Sequence, residues 1–254
     1  MFWKYKTPNW IQDLENRKWI EENILQLIEE FDENLFIRPS PIVIQKNLNP
    51  LLKAGMEVFL NSIAKEMAVL AKINVSDIKV EVYKELKNSD VLRSLNLEYS
   101  DESSSGTAGK FYAIDNNKIA HIAIEETQLR DHISLSGTLS HELSHIFIEL
   151  NKQKGFEIKK EEEEQITDLI AVLLGFGIFM SNSSERFVQY TEEDYTGWYT
   201  SKQGYLSLEE ICYAQGFVSF LFGQNFSEYK NLLSDNPRQF IKDAIKYFEH
   251  NENK

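Results

Sequence analysis

The sequence predicts an α+β fold, helix-rich and carrying a small mixed β-sheet, from three observations. Apolar residues recur at helical spacing in long stretches toward both ends of the chain. Near residue 80 the period shortens to two. Two apolar runs, 110–114 and Ile119–Glu125, flank the turn signal Asp115-Asn116-Asn117-Lys118. A chain of 254 residues suits a single domain, 1–254, long enough to bury a real interior.

Residues 9–32 carry a helical pattern (Ile11, Leu14, Trp19, Ile20, Ile24, Leu27, Ile28, Phe31) that stops ahead of Pro39 and Pro41. Residues 50–72 give a second helix, through Leu51, Leu52, Val58, Phe59, Ile63, Met67 and Leu70. These make a helical N-terminal part, 1–75, with no catalytic grouping. Ile78, Val80 and Val82 then alternate with Lys79, Glu81 and Tyr83 as a strand, followed by a polar loop at 100–109. The next two runs form the hairpin, because Asn tolerates left-handed backbone. In its second run Ile122 and Ile124 face one way, and His121, Ala123 and Glu125 the other. A central helix follows, in which Leu139, Leu143, Ile146 and Leu150 form one apolar stripe. Past a turn at 151–155 another helical segment covers 159–172. The stretch 181–205 is dense in aromatic residues and reads as a loop. Ser207-Leu208-Glu209-Glu210 is a capping box opening a helix to about Phe222, and Asn236-Pro237 opens the last one.

Net charge is −13, which argues against nucleic acid and anionic membrane surfaces as partners. The one cysteine, Cys212, excludes an intramolecular disulfide and reads as a structural thiol. The N-terminus lacks the apolar stretch of a signal peptide, and the apolar run 169–180 is too short for a bilayer. A soluble, cytoplasmic protein is the expectation.

The chemistry enters at His141-Glu142-Leu143-Ser144-His145. Histidines four apart on a helix lie about 40° apart around the axis and about 6 Å apart along it. Both imidazoles can reach one ion, and the intervening glutamate points at its open side. That is two ligands and a general base from one helical turn, the arrangement of a zinc-dependent hydrolase. The competing reading is a buried, hydrogen-bonded histidine pair without metal.

Zinc needs a third protein ligand. Within 159–172, Glu164 and Asp168 stand one turn apart on one face, and that face continues through the small residues Ala171 and Gly175. Such a helix could dock closely on the histidine helix. Glu161, Glu162 and Glu163 are rivals to Glu164, with a solvated first turn as their ordinary role.

His141-Glu142-x-x-His145 followed by Glu164-x-x-x-Asp168 resembles the gluzincin metallopeptidases, in the flavour of small zincin-like domains of bacterial cytoplasmic proteins. The resemblance covers roughly residues 109–180. It implies a zincin-like domain with an active-site helix and a catalytic core at 76–180. It further implies Zn²⁺ held by His141, His145 and Glu164, with Glu142 as general base on a zinc-bound water. Asp168 would be the carboxylate that hydrogen-bonds a ligand histidine and fixes its tautomer. In zincins the strand before the active-site helix is commonly a sheet edge that pairs with extended substrate, which would give Ile119–Glu125 that part. His121 would then stand near the cleft; its alternative is simple solvation. A Tyr or His usually stabilises the oxyanion, and Tyr190, Tyr195, Tyr199 and Tyr205 are all candidates by position.

The expectation is a zinc metallopeptidase acting on a peptide or protein. Its alternative is a zincin-fold regulatory or interaction module with a structural metal and no turnover. In that case the N-terminal helices and the C-terminal aromatic loop and helices, 181–254, would bind a partner.

Overall fold

A computed structural model describes residues 5–44, 55–83, 108–192, 195–202 and 206–252, and between 185 and 202 its main chain. The period-two segment and the hairpin join into one mixed sheet. It consists of β1 (Asp77–Tyr83), β2 (Gly109–Ile114) and β3 (Ile119–Glu125), in the order β1-β3-β2. β1 pairs parallel to β3, and β2 pairs antiparallel to it. The strand expected at the edge is therefore the central one. The reason is readable in its composition: Ala120, Ile122, Ala123 and Ile124 are all buried, so both faces are covered and the run suits an interior strand. Ala123, assigned to the polar face, is small enough to be buried there.

The hairpin turn also differs in detail from expectation. Lys118, rather than either asparagine, takes the left-handed conformation (φ 59°). The Asp115 carboxylate accepts the Asn117 and Ile119 N–H groups, both at 2.9 Å, and so organises the loop from its first residue.

The first helical pattern divides into α1 (Asn9–Gln12) and α2 (Arg17–Glu30) rather than running unbroken. α3 (Met56–Leu70) packs on β1, and its Asn61 side chain accepts the Val80 N–H at 2.6 Å. That contact covers part of the outer edge of β1. Residues 50–54 of the expected helix and 100–107 of the expected loop lie outside the described residues.

α4 (His132–Lys152) is the central helix. Asp131 caps it, accepting the N–H groups of Ile133 and Ser134 at 3.2 Å each. Buried on several sides through Leu139, Ser140, Leu143, Ser144, Ile146 and Ile148, it has little freedom to shift. After α5 (Glu163–Ala171) the helix widens through Val172–Phe176 and restarts as α6 (Gly177–Ser183). The break is at Gly175, whose φ of 95° suits glycine. Its space faces the N-terminal segment, not the histidine helix as expected. A Cβ there would sit 2.7 Å from Arg38 Nε, and the Ile42 N–H donates to the Gly175 carbonyl at 2.7 Å. The small-residue stripe thus ends at Ala171. Lys160–Ser183 is, among the described residues, the one helical stretch long and apolar enough for a bilayer, and 89% of its apolar window is buried within the fold. Its hydrophobicity belongs to the core.

The aromatic stretch expected as a loop is a two-stranded antiparallel hairpin, β4 (Glu185–Glu192) with β5 (Tyr195–Lys202). Its Val, Thr, Tyr, Phe and Trp content favours strand. α7 (Leu208–Leu221) opens with both halves of the capping box made between Ser207 and Glu210. The short α8 (Phe226–Tyr229) and the long α9 (Asp235–Glu252) complete the chain, with Pro237 inside the first turn of α9. α9 crosses α7 at Gly216, where a Cβ would meet the Ala244 Cβ at 2.4 Å. Cys212 is fully buried in α7, and burial pushes its thiol well above the ordinary range, in keeping with a structural role.

Several polar contacts tie the N-terminal part to this C-terminal layer. The fully buried Tyr213 donates its hydroxyl to Glu21 of α2 at 2.5 Å. Tyr213→Phe is expected to destabilise the fold by about 1–2 kcal/mol, the range for a hydrogen bond to a charged group that is partly screened. Urea unfolding should show a lower midpoint with an unchanged slope; an unchanged midpoint would mean that the contact contributes nothing.

Candidate metal centre

The helical repeat puts His141 and His145 on one side of α4, and the second helix delivers its acidic face to them. Nε2 of His141 and Nε2 of His145 are 3.1 Å apart. Glu164 Oε2 is 3.1 Å from the first and 3.4 Å from the second. These three atoms form a nearly equilateral triangle. Ligand atoms about 2.0–2.1 Å from a tetrahedral zinc are separated by roughly 3.3 Å, so the triangle has the edge such an ion requires. Among the described residues this is the one group of His, Cys, Asp or Glu placed to hold a metal ion.

The rival glutamates are accounted for. Glu163 turns to Lys152 at the end of α4, at 2.5 Å, and Glu162 pairs with Lys159 at 3.2 Å. Glu161 is exposed. The Lys152–Glu163 contact joins the first turn of α5 to the last turn of α4, beside Glu164.

Asp168, fully buried, accepts from His141 Nδ1 at 2.8 Å. Its other oxygen accepts the Leu206 main-chain N–H at 3.0 Å. A carboxylate so placed keeps a proton on Nδ1 and aims Nε2 of His141 into the triangle.

Glu142 is 5% exposed and sits beside the triangle without belonging to it. Burial raises its pKa, against the lowering influence of His141, His145 and a hydrogen bond from the Phe111 main-chain N–H. Burial would also raise Glu164, but the two histidines prevail and hold its carboxyl well below the usual range. For His141 burial lowers the pKa, yet Asp168 and Glu164 overcome it and raise it well above the ordinary value. Three carboxylates gathered around two imidazoles favour positive charge, which either a protonated His141 or a divalent cation at the centre of the triangle would supply.

Three contributors carry no signal in the motif. Gly109 opens β2 directly against α4: a Cβ there would meet Thr138 Cγ2 at 2.5 Å and Glu142 Oε1 at 2.9 Å. The other two are main-chain donors, the N–H groups of Phe111 and Leu206. His121 pairs with Asp115 on the hairpin at 3.5 Å and is not among the converging ligands. Of the tyrosines expected as oxyanion donors, Tyr205 and the side chains of Tyr190, Tyr195 and Tyr199 lie outside the described residues. Comparison of the chain with protein-family models, with curated proteins and with solved structures gives no match.

Proposed function

We propose that this chain is a zinc-dependent hydrolase, a gluzincin-like metallopeptidase that acts on a peptide or protein substrate in the cytoplasm. The observation that carries the reading is the triangle of His141, His145 and Glu164 with a buried carboxylate, Glu142, standing beside it unused as a ligand. Imidazole and carboxylate donors at this spacing suit Zn²⁺. When bound, the ion would supply an activated water and polarise a carbonyl.

The chain's own residues do the rest. Glu142, raised in pKa and oriented by the Phe111 N–H, takes the water's proton and hands it to the leaving amine. Asp168 keeps His141 in the ligating tautomer. Glu164 is the most exposed of the three ligands and marks the side from which substrate arrives. The strand-pairing part expected of β3 passes to β2, which is a sheet edge among the described residues and whose Phe111 N–H reaches Glu142. An extended peptide paired there would lie next to the base. A single cysteine, buried and unpaired, accords with a reducing compartment.

Metal analysis of the purified protein by mass spectrometry, beside Glu164→Ala prepared identically, tests the reading. Near-stoichiometric zinc in the parent and its loss in the variant is the expected result. A parent that takes up no zinc even after reconstitution would overturn it.

A further inference from the structure

Asp168 joins two parts of the chain that are distant in sequence. Oδ1 accepts from His141 Nδ1 at 2.8 Å, and Oδ2 accepts from the Leu206 N–H at 3.0 Å. Asp168 is fully buried and Leu206 is 3% exposed, so the link is shielded from water. Leu206 stands at the junction of two elements: the β4–β5 hairpin precedes it and α7 follows. Its amide is held from the α7 side. Ser207 accepts the Glu210 N–H at 3.3 Å and donates its own N–H to Glu210 Oε2 at 2.8 Å. Glu210 Oε1 accepts from Asn16, at the start of α2, at 2.9 Å. The main chain at 206–207 is therefore a fixed point, anchored to both the N-terminal and the C-terminal layers.

We infer that the Leu206 main-chain N–H is a positioning group of the metal centre, and that metal binding and the seating of residue 206 form one coupled equilibrium. The inference rests on the metal-site reading above. A buried carboxylate needs donors at both oxygens to stay in place. With the Leu206 N–H withdrawn, Oδ2 loses a donor and the hold on the Asp168 carboxylate weakens. The Asp168–His141 bond is then less well placed, and Nε2 is held less firmly toward the cation. Coupling of this kind is reciprocal: whatever the seated amide adds to metal affinity, the bound metal returns as stability of the seated amide.

The test uses the full chain and Zn²⁺ alone, with two readouts. Competition against a chelator measures zinc affinity in the parent and in Leu206→Pro, which lacks the N–H. Hydrogen exchange of the Leu206 amide is followed in the unaltered chain with and without zinc. Leu206→Pro should bind zinc about 10–100-fold more weakly, the range for loss of an outer-shell partner, and zinc should slow Leu206 exchange by a similar factor. A folded Leu206→Pro of parental affinity would overturn the inference, and so would exchange at Leu206 that is indifferent to bound zinc. If the variant fails to fold, the exchange measurement decides alone. A parent chain that binds no zinc would instead sink the metal reading itself, and this inference with it.

Discussion

Glu142→Gln is expected to lower the rate of peptide hydrolysis by about 10²–10⁴-fold, the contribution of a positioned general base. The variant should keep its full complement of zinc, because Glu142 is not one of the three converging ligands. The side-chain carbonyl of Gln can still accept the Phe111 N–H, so the local backbone should hold. Rates on a peptide-library substrate, read beside metal content, give the answer. Retained zinc with lost turnover supports the hydrolase. Equal turnover in parent and variant would remove Glu142 from the chemistry. Zinc-loaded parent protein that cleaves nothing would favour the module with a structural metal.

A second large effect is expected at Gly109, which no ligand motif points to. Alanine there places a methyl 2.5 Å from Thr138 Cγ2 and 2.9 Å from Glu142 Oε1. Thr138 is buried and its hydroxyl engages Gln128 at 3.3 Å, so it cannot easily move. The strain should be relieved by moving the Glu142 carboxylate or the start of β2. Overpacking of this kind costs about 1–3 kcal/mol. A displacement near 1 Å of a reacting group costs about 10²-fold in rate. Gly109→Ala should therefore bind zinc normally, melt earlier and turn over on the order of 10²-fold more slowly. Thr138→Ser removes the nearer of the two contacting groups, and the double variant should recover part of both losses. Unchanged melting and turnover in Gly109→Ala would show that the contact relaxes freely.

The convergence of His141, His145 and Glu164 was legible because its geometry is local. His141 and His145 are related by one helical turn, as are Glu164 and Asp168, and each pair needs only the 3.6-residue repeat to be placed. Choosing Glu164 among four adjacent glutamates was legible only in part: the Lys152 partner that takes up Glu163 has no spacing signature. The position of β3 was misread because its second partner, β1, arrives from before the segment 84–107, and alternation within one strand does not say which strands flank it. Likewise, Gly175 shared a helical face with Ala171 only while the helix was taken as regular; its φ of 95° re-aims everything beyond it. The Phe111 and Leu206 donors are main-chain groups, which every residue but proline carries, so their identity says nothing.

The contrast between local ligands and remote supports bears on the order in which the molecule assembles. His141, His145, Glu164 and Asp168 come from two consecutive helices joined by a short connection, a loop that closes at small entropic cost. The Leu206 donor closes a stretch of 38 residues, against 23 for His141 with Glu164, and the parallel β1–β3 ladder is longer-range too, so these contacts close later. An incompletely folded chain could thus already hold zinc between its two central helices. Docking of the C-terminal layer would follow and tighten that hold. If the site holds zinc as proposed, the ion would act as a nucleus for the fold, and refolding in the presence of a chelator should lag most at the C-terminal helices.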